Sequence, residues 1–364
     1  MAITRRSTLM AYAALIFCLP GTANARPSAE QVVANYILAL GGSKAVASVK
    51  TIIVRGIYSE GTMSFDATVA RMRPFYKLVG DPLKRSKDYE EGYDGSAWEF
   101  YGRPGIVLRT VGAPAAATRH STAVLGALAD YRGDSASIEL LGSEVIAGRK
   151  AWQIRLRMRD GYRLDDFIDA ANWRLTGERQ IAQIHAVGDK VRIERRFGDF
   201  RTVDGITIPF ETSNVNIATG AILNRFVVRS VTLNQHLDPS HFSPPAFTRT
   251  PRQSLIETLF TQRDDPDTLR WTLFDFRRAH TDTSTDEPCR IAGYQMVKAG
   301  AFSGAIALLK QNEKDYPASA AAASNLGRAY ANAGKPKAAT AERALELDPR
   351  DQRARAALEA LHNP

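Results

Sequence analysis

The sequence predicts an α+β chain: a large antiparallel sheet, preceded by an amphipathic helix and followed by an all-helical tail. Three observations carry this. Apolar and polar residues alternate with period two from Lys50 to about Gln235, punctuated by turn signals at Asp94-Gly95, Asp160-Gly161 and Asp204-Gly205. No helix-length pattern separates most of these runs, as parallel crossovers would require. From Gln253 onward helical periodicity takes over, and small residues recur 34 positions apart.

Residues 1–25 are set aside first. Arg5 and Arg6, the apolar run LMAYAALIFCL, the helix-breaking Pro20-Gly21 and the small triplet Ala23-Asn24-Ala25 follow the pattern of a secretory signal, with an apolar part too short to span a bilayer. The mature chain is expected to begin at Arg26. Export by the Sec route is favoured over the twin-arginine route, which TRRSTLM also resembles. Cys18 leaves with the leader, so Cys289 is the one remaining cysteine and no internal disulfide is expected.

The 364 residues are 24% charged and 44% hydrophobic, ordinary globular usage that excludes a mostly disordered or multi-span membrane chain. The net charge of +9 divides into +2 in the leader, +4 over 26–290 and +3 beyond, so no segment dictates a polyanionic partner. A nucleic-acid reading would need basic patches interleaved with aromatics, and it conflicts with export.

Ser28 caps the first helix, with Val32, Val33, Tyr36, Ile37 and Leu40 on one face before Gly41-Gly42 ends it. About ten strands follow. In KAWQIRLRMRDGYRL, Trp152, Ile154, Leu156 and Met158 alternate with Gln153, Arg155, Arg157 and Arg159, giving one apolar and one cationic face. The sheet is interrupted by PAAATRHSTAVLGALADYRGD, an Ala-rich lead with a short helix expected over 121–131. That helix and the first one are the only local candidates to cover the apolar face. Two short helices cannot fill a wide sheet, so a residual apolar cavity is expected, with Trp152, Ile154, Leu156 and Met158 as candidate ligand contacts or as packed core.

The segments YILALGGSKAVASVKTIIVRG, YDGSAWEF, LLGSEVIAGRKAWQIRLRMRDGYRLDDFIDAANWRLTGER and FGDFRTVDGITIPFE resemble the LolA-like outer-membrane lipoprotein-sorting family over about residues 29–236. The resemblance implies a strongly curved, incomplete antiparallel β-barrel that holds lipid acyl chains between sheet and helices, in a periplasmic protein. The motifs are sheet-and-turn patterns, and the family's gating residues have no clean counterpart here.

LDPSHFSPPAFTRTPR is proline-rich and non-periodic, a linker expected over 237–252 between a sheet domain (26–236) and a helical domain (253–364). SLIETLFTQ and DTLRWTLFDFRRAH are apolar-periodic helices. Gly293 and Gly327, Gly300 and Gly334, and Ala305 and Ala339 are each 34 apart, the tetratricopeptide period, and Tyr330 belongs to the same packing set. The repeats are expected over about 286–317 and 320–349. Pro317 and Pro349 close them only 32 apart, so the second repeat's last helix is expected to be two residues short. RDQRARAALEALH, over 350–362, resembles the capping helix such arrays need. The tail resembles tetratricopeptide tails of secreted bacterial proteins and implies a protein partner.

No Ser-x-x-Lys, Gly-x-Ser-x-Gly, His-Glu-x-x-His or P-loop occurs. The six histidines are scattered, and His236 and His241 lack a third ligand. Asp165, Asp166 and Asp169 form the one acidic cluster, more simply a strand and an Asp/Asn turn than an acid–base pair. Cys289 reads as a buried or semi-buried thiol at a helix start. No catalytic residue, metal or cofactor is expected. The arginine faces at Arg155, Arg157 and Arg159, and at Arg192, Arg195 and Arg196, are either solvated or meet an anionic membrane surface. These readings make the chain a non-enzymatic carrier or sensor of an apolar or lipidic ligand. The alternatives are an envelope scaffold acting through its tail, or an unrecognised hydrolase.

Overall fold

The computed structural model describes residues 26–80, 89–101, 106–110, 112–133, 136–183, 190–246, 249–335 and 338–362; the leader and His185 lie outside them. α1 (Ala29–Leu40) opens on a capping box in which Ser28 and Gln31 satisfy each other's backbone N–H groups, and α2 (Ser43–Ser48) follows. Alternating sequence then gives two meanders. The first runs β1 (Thr51–Glu60), β2 (Met63–Met72), β3 (Phe75–Gly80), β4 (Tyr89–Tyr93), β5 (Ala97–Tyr101) and β6 (Ile106–Arg109). The second runs β7 (Ser137–Ile146), β8 (Arg149–Arg157), β9 (Arg163–Asp169), β10 (Leu175–Gln183), β11 (Lys190–Val203), β12 (Ile206–Asn216) and β13 (Ile222–Leu233).

Pairing of β1 with β13 joins the meanders into one 13-stranded antiparallel sheet whose open edges are β6 and β7. The barrel is thus incomplete, and the sequence undercounts its strands because several are only four or five residues long. The topology also dictates the cover. Leaving β6 at one edge, the chain must reach β7 at the other, and it does so through α3 (Ala113–His120) and a 3-10 turn (Ala127–Asp130). The helix expected over 121–131 therefore falls earlier, on the Ala-rich lead. Gly126, with φ of +98°, breaks any continuous helix through the later segment.

The core lies between the sheet and these covers. Val32, Val33 and Tyr36 of α1 pack with Ile154, Leu156, Met158, Leu164 and Ile168 of the second meander and with Leu128 of the 3-10 turn. On the outer faces, cross-strand register neutralises the expected cationic stripe. Arg155 stands opposite Asp165 and donates to it twice, at 2.7 and 2.8 Å, and Arg157 reaches Glu139 of β7; Arg196 pairs within its own strand, with Glu194. Arg159 and Arg192 stay exposed.

Past β13, residues 239–242 form a second 3-10 turn on the outer face of β3–β5. Phe242 is fully buried and stacks on Phe75, its carbonyl accepts from Trp98 Nε1, and Lys77 donates to the Ser243 carbonyl. This part of the proline-rich stretch is thus packed structure. Beneath it Lys77 and Glu90 form a buried ion pair at 2.8 Å.

The C-terminal region is all helical: α4 (Pro251–Thr261), α5 (Pro266–Ala279), α6 (Asp286–Lys298), α7 (Phe302–Asp315), α8 (Ala320–Asn332), α9 (Ala338–Leu347) and α10 (Gln352–His362). From α6 onward consecutive helices pack together, as do α4 and α5; α5 also packs on α7, and α6 on α4 and α8. The 34-residue spacing has two physical causes. A Cβ on Gly293 would lie 2.6 Å from the Leu309 side chain, and one on Gly327 would lie 3.2 Å from Thr340 Oγ1, so both are close-approach positions. Gly300 and Gly334 instead take φ of +78° and +68° in the turns after α6 and α8, with open space around them. Ala305 is fully buried in α7 and Tyr330 nearly so in α8; Ala339 is the second residue of α9, its side chain outside the described ones. α9 has 10 described residues and α7 has 14. Cys289 is buried near the start of α6, and burial pushes its thiol up to about 12.

The helical region covers the open edge of β6. Gln253 of α4 accepts from the Val107 N–H at 3.0 Å and donates to the Val107 carbonyl at 3.2 Å, replacing a neighbouring strand with one amide side chain.

Candidate ligand cavity

Because the sheet curls, strands from both meanders face one another across a cavity of about 810 Å³, closed by α1 and the 113–130 crossover. Its volume falls in the ~300–1,000 Å³ range of small-molecule sites. Apolar side chains come from all around it, among them Leu40, Val54, Phe65, Val69, Val124 and Phe226.

The apolar wall is crossed by a polar row that follows the strand register. Asp166 of β9 stands opposite Glu178 of β10, Glu178 opposite Arg195 of β11, Arg195 opposite Asn214 of β12, Asn214 opposite Asn224 of β13, and Asn224 opposite Glu60 of β1. Hydrogen bonds link much of it: Arg195 Nε donates to Asn214 Oδ1 at 3.2 Å, Asn214 Nδ2 to Asn224 Oδ1 at 2.8 Å, and Tyr58 to Glu60 at 2.5 Å. Glu178 accepts from Gln180 and lies 3.5 Å from Arg195.

Asp166 is the exception. It is 1% exposed, and its buried Oδ1 has no hydrogen-bond partner among the described residues. Burial, then the charges of Glu178 and Asp165, push its carboxyl well above the ordinary range; Arg195 only partly opposes them. Burial, then the charges of Asp166 and Glu178, also raise the Tyr36 hydroxyl of α1.

The opposite wall holds Arg71 of β2. Its Nε donates to the Ser121 carbonyl at 3.0 Å, and its guanidinium lies 5.6 Å from the Tyr76 ring centre. No carboxylate among the described residues pairs with it. Burial lowers its pKa, as does Arg195, while Tyr76 and Glu178 favour its charge. Nearby, Tyr76 and Tyr89 donate to the two oxygens of Glu91 at 2.6 and 2.7 Å. The crossover is tied down at its middle by His120, 2.9 Å from Asp160 and stacked on Tyr162. Burial would raise Asp160, but the Tyr162 N–H, His120 and Arg119 more than reverse it and hold the carboxyl below its usual value.

None of Trp152, Ile154, Leu156 and Met158 is among the described lining residues. Ile154 and Leu156 are fully buried and Met158 nearly so, in the core under α1, with Trp152 packed at its edge. The reason is position: β8 lies next to edge strand β7, where α1 seats directly on the sheet and leaves no space. Leu164 and Asp166, one strand further in, reach the cavity. The acidic cluster splits accordingly. Asp165 faces outward to Arg155, and Asp169 accepts from the N–H groups of Ala171 and Asn172 in the expected Asp/Asn turn. A sequence signal for the polar row exists: Asp166 between Leu164 and Ile168, Arg195 between Ile193 and Phe197, and Asn224 between Ile222 and Phe226 each place a polar residue in the apolar phase.

Among the described residues no group of three His, Cys, Asp or Glu side chains converges as a metal site, and no helix is long and apolar enough to cross a membrane.

No family model and no curated protein matches the chain. Among solved structures it is similar to a LolA superfamily protein from Nitrosomonas europaea, at 13% identity over 60% of this chain and 99% of that one, with a TM-score of 0.41. It is also similar to a domain from Vibrio parahaemolyticus described as an outer membrane lipoprotein-sorting protein, at 10% identity over 59% and 95%, with a TM-score of 0.41. A third similar structure is a DUF1329 family protein from Desulfovibrio piger, at 14% identity over 58% and 97%, with a TM-score of 0.36.

Proposed function

We propose that this chain is a non-enzymatic, exported periplasmic carrier or sensor that holds an apolar or lipidic ligand in its sheet domain (26–236), with a tetratricopeptide-type tail (253–364) that engages a protein partner. The observation that carries the reading is the 810 Å³ cavity between the sheet and its covers, whose apolar lining comes from both meanders. Exposing such a surface to water without a ligand is unfavourable, and filling it with acyl chain is favourable at roughly 25 cal/mol per Å² of apolar surface removed from water. The leader pattern supports export, and the 34-residue period supports the tail.

Titration of the delipidated full-length chain with N-phenyl-1-naphthylamine tests it. Saturable fluorescence enhancement is expected, and Val69→Trp or Leu78→Trp, which fill the lining, should abolish it while circular dichroism is unchanged. A folded wild-type chain with no saturable binding would overturn the carrier reading.

A scaffold role through the tail is favoured by one observation. Trp271 and Phe274, 67% and 56% exposed, sit edge to face on the outer side of α5. A Trp271→Ser/Phe274→Ser chain that still binds the probe but loses its cellular role would support that reading over the carrier.

A further inference from the structure

The polar groups on the cavity wall divide into those that the protein itself satisfies and those it does not, and the division carries chemical information. Glu91 is held by two tyrosine hydroxyls, Glu60 by Tyr58, and Glu178 by Gln180 and Arg195. These carboxylates are engaged. Arg71 spends one N–H on the Ser121 carbonyl, and its side chain lines the cavity with its terminal N–H groups in no ion pair among the described residues. Charged guanidinium groups taken out of water are retained where an acceptor completes them.

We propose that Arg71 receives the acid head group, carboxylate or phosphate monoester, of a single-chain amphiphile whose alkyl chain occupies the apolar part of the cavity. The proposal rests on the carrier reading and adds the ligand's head-group class to it. Arg71 sits two residues from Val69 along β2 and opposite Ile52 of β1, so the head-group donor and the chain-binding surface are continuous on one wall. A planar guanidinium fork suits two oxygens on one atom, which carboxylate and phosphate both offer and an alcohol or amine does not.

The test displaces N-phenyl-1-naphthylamine from the full-length chain with hexadecanoate, hexadecyl phosphate, hexadecan-1-ol and hexadecylamine, which share one chain and differ in the head. Hexadecanoate or hexadecyl phosphate is expected to displace the probe at about tenfold lower concentration than the alcohol, the scale of one charge-assisted hydrogen bond. The stronger of the two acids identifies the head. Arg71→Met should bring the acids close to the alcohol and leave the alcohol unchanged, whereas Arg71→Lys, which keeps the charge, should retain part of the preference. Were Arg71→Met to misfold, the wild-type series and Arg71→Lys would still decide. An alcohol or amine that displaces as well as the acids, or an acid preference that survives Arg71→Met, would overturn the head-group assignment while leaving probe binding, and the carrier reading, intact. Absence of probe binding removes both.

Discussion

Asp166→Asn is expected to reshape the pH dependence of stability of the sheet. Asp166 is 1% exposed, stands opposite Glu178 and has an unpartnered oxygen, and these surroundings raise its carboxyl well above the ordinary value of 3.8. The folded chain therefore holds a proton that the unfolded chain has released, over the interval between the ordinary and the raised pKa. Stability from this group is fully present below pH ~4 and falls as pH rises, by about 1.4 kcal/mol per pH unit, until the folded pKa is reached. Asparagine matches the shape of the neutral acid and does not titrate. The difference in unfolding free energy, variant minus wild type, should accordingly climb at that slope from pH ~4 and level off at the folded pKa of Asp166. Urea titrations followed by tryptophan fluorescence in a Trp271→Phe background measure it, since Trp98, Trp152 and Trp173 then report the sheet alone. Parallel pH profiles for the two chains would refute the reasoning, because they would mean that Asp166 ionises in the folded state as it does in the unfolded one.

Two further outcomes follow from packing. Lys77→Met leaves Glu90, with a side chain 1% exposed, as an unpaired buried charge, and should lower stability by about 3–5 kcal/mol; Lys77→Met/Glu90→Leu should recover most of that in urea titrations, and a double variant no better than the single one would argue against the pair. Gly293→Ala places a methyl against Leu309 and should lower the stability of the helical region by about 1–3 kcal/mol in thermal melts, despite alanine's better helix propensity.

The sheet was legible in the sequence because burial on one face imposes period two, and β8, β12 and β13 show it over nine or more residues. The short strands β4 and β6 were harder to see, being too brief to establish a period. The 34-residue spacing was legible because it falls on glycines: Gly293 and Gly327 sit at close approaches, and Gly300 and Gly334 take positive φ. The cavity's lining was not legible. Alternation tells which residues face inward, and it put Ile154 and Leu156 correctly on the inner face, but whether an inward residue meets helix or void depends on where α1 rests. The cationic faces misled for a related reason: Arg155 and Asp165 lie ten residues apart along the chain, and only the β8–β9 register brings them together.

The junction between β1 and β13 sets how the sheet can assemble. Every other neighbouring pair of strands is consecutive in the chain, so each can zip from its own turn. The β1–β13 seam instead joins Ile52 to Leu233, and closing a loop of that length costs roughly 4–5 kcal/mol of chain entropy before any contact repays it. Each half-sheet is built from local contacts, and the cavity exists only where the two meet, because its walls belong to different halves. A molecule that filled the space between the halves would therefore stabilise the longest-range pairing in the fold.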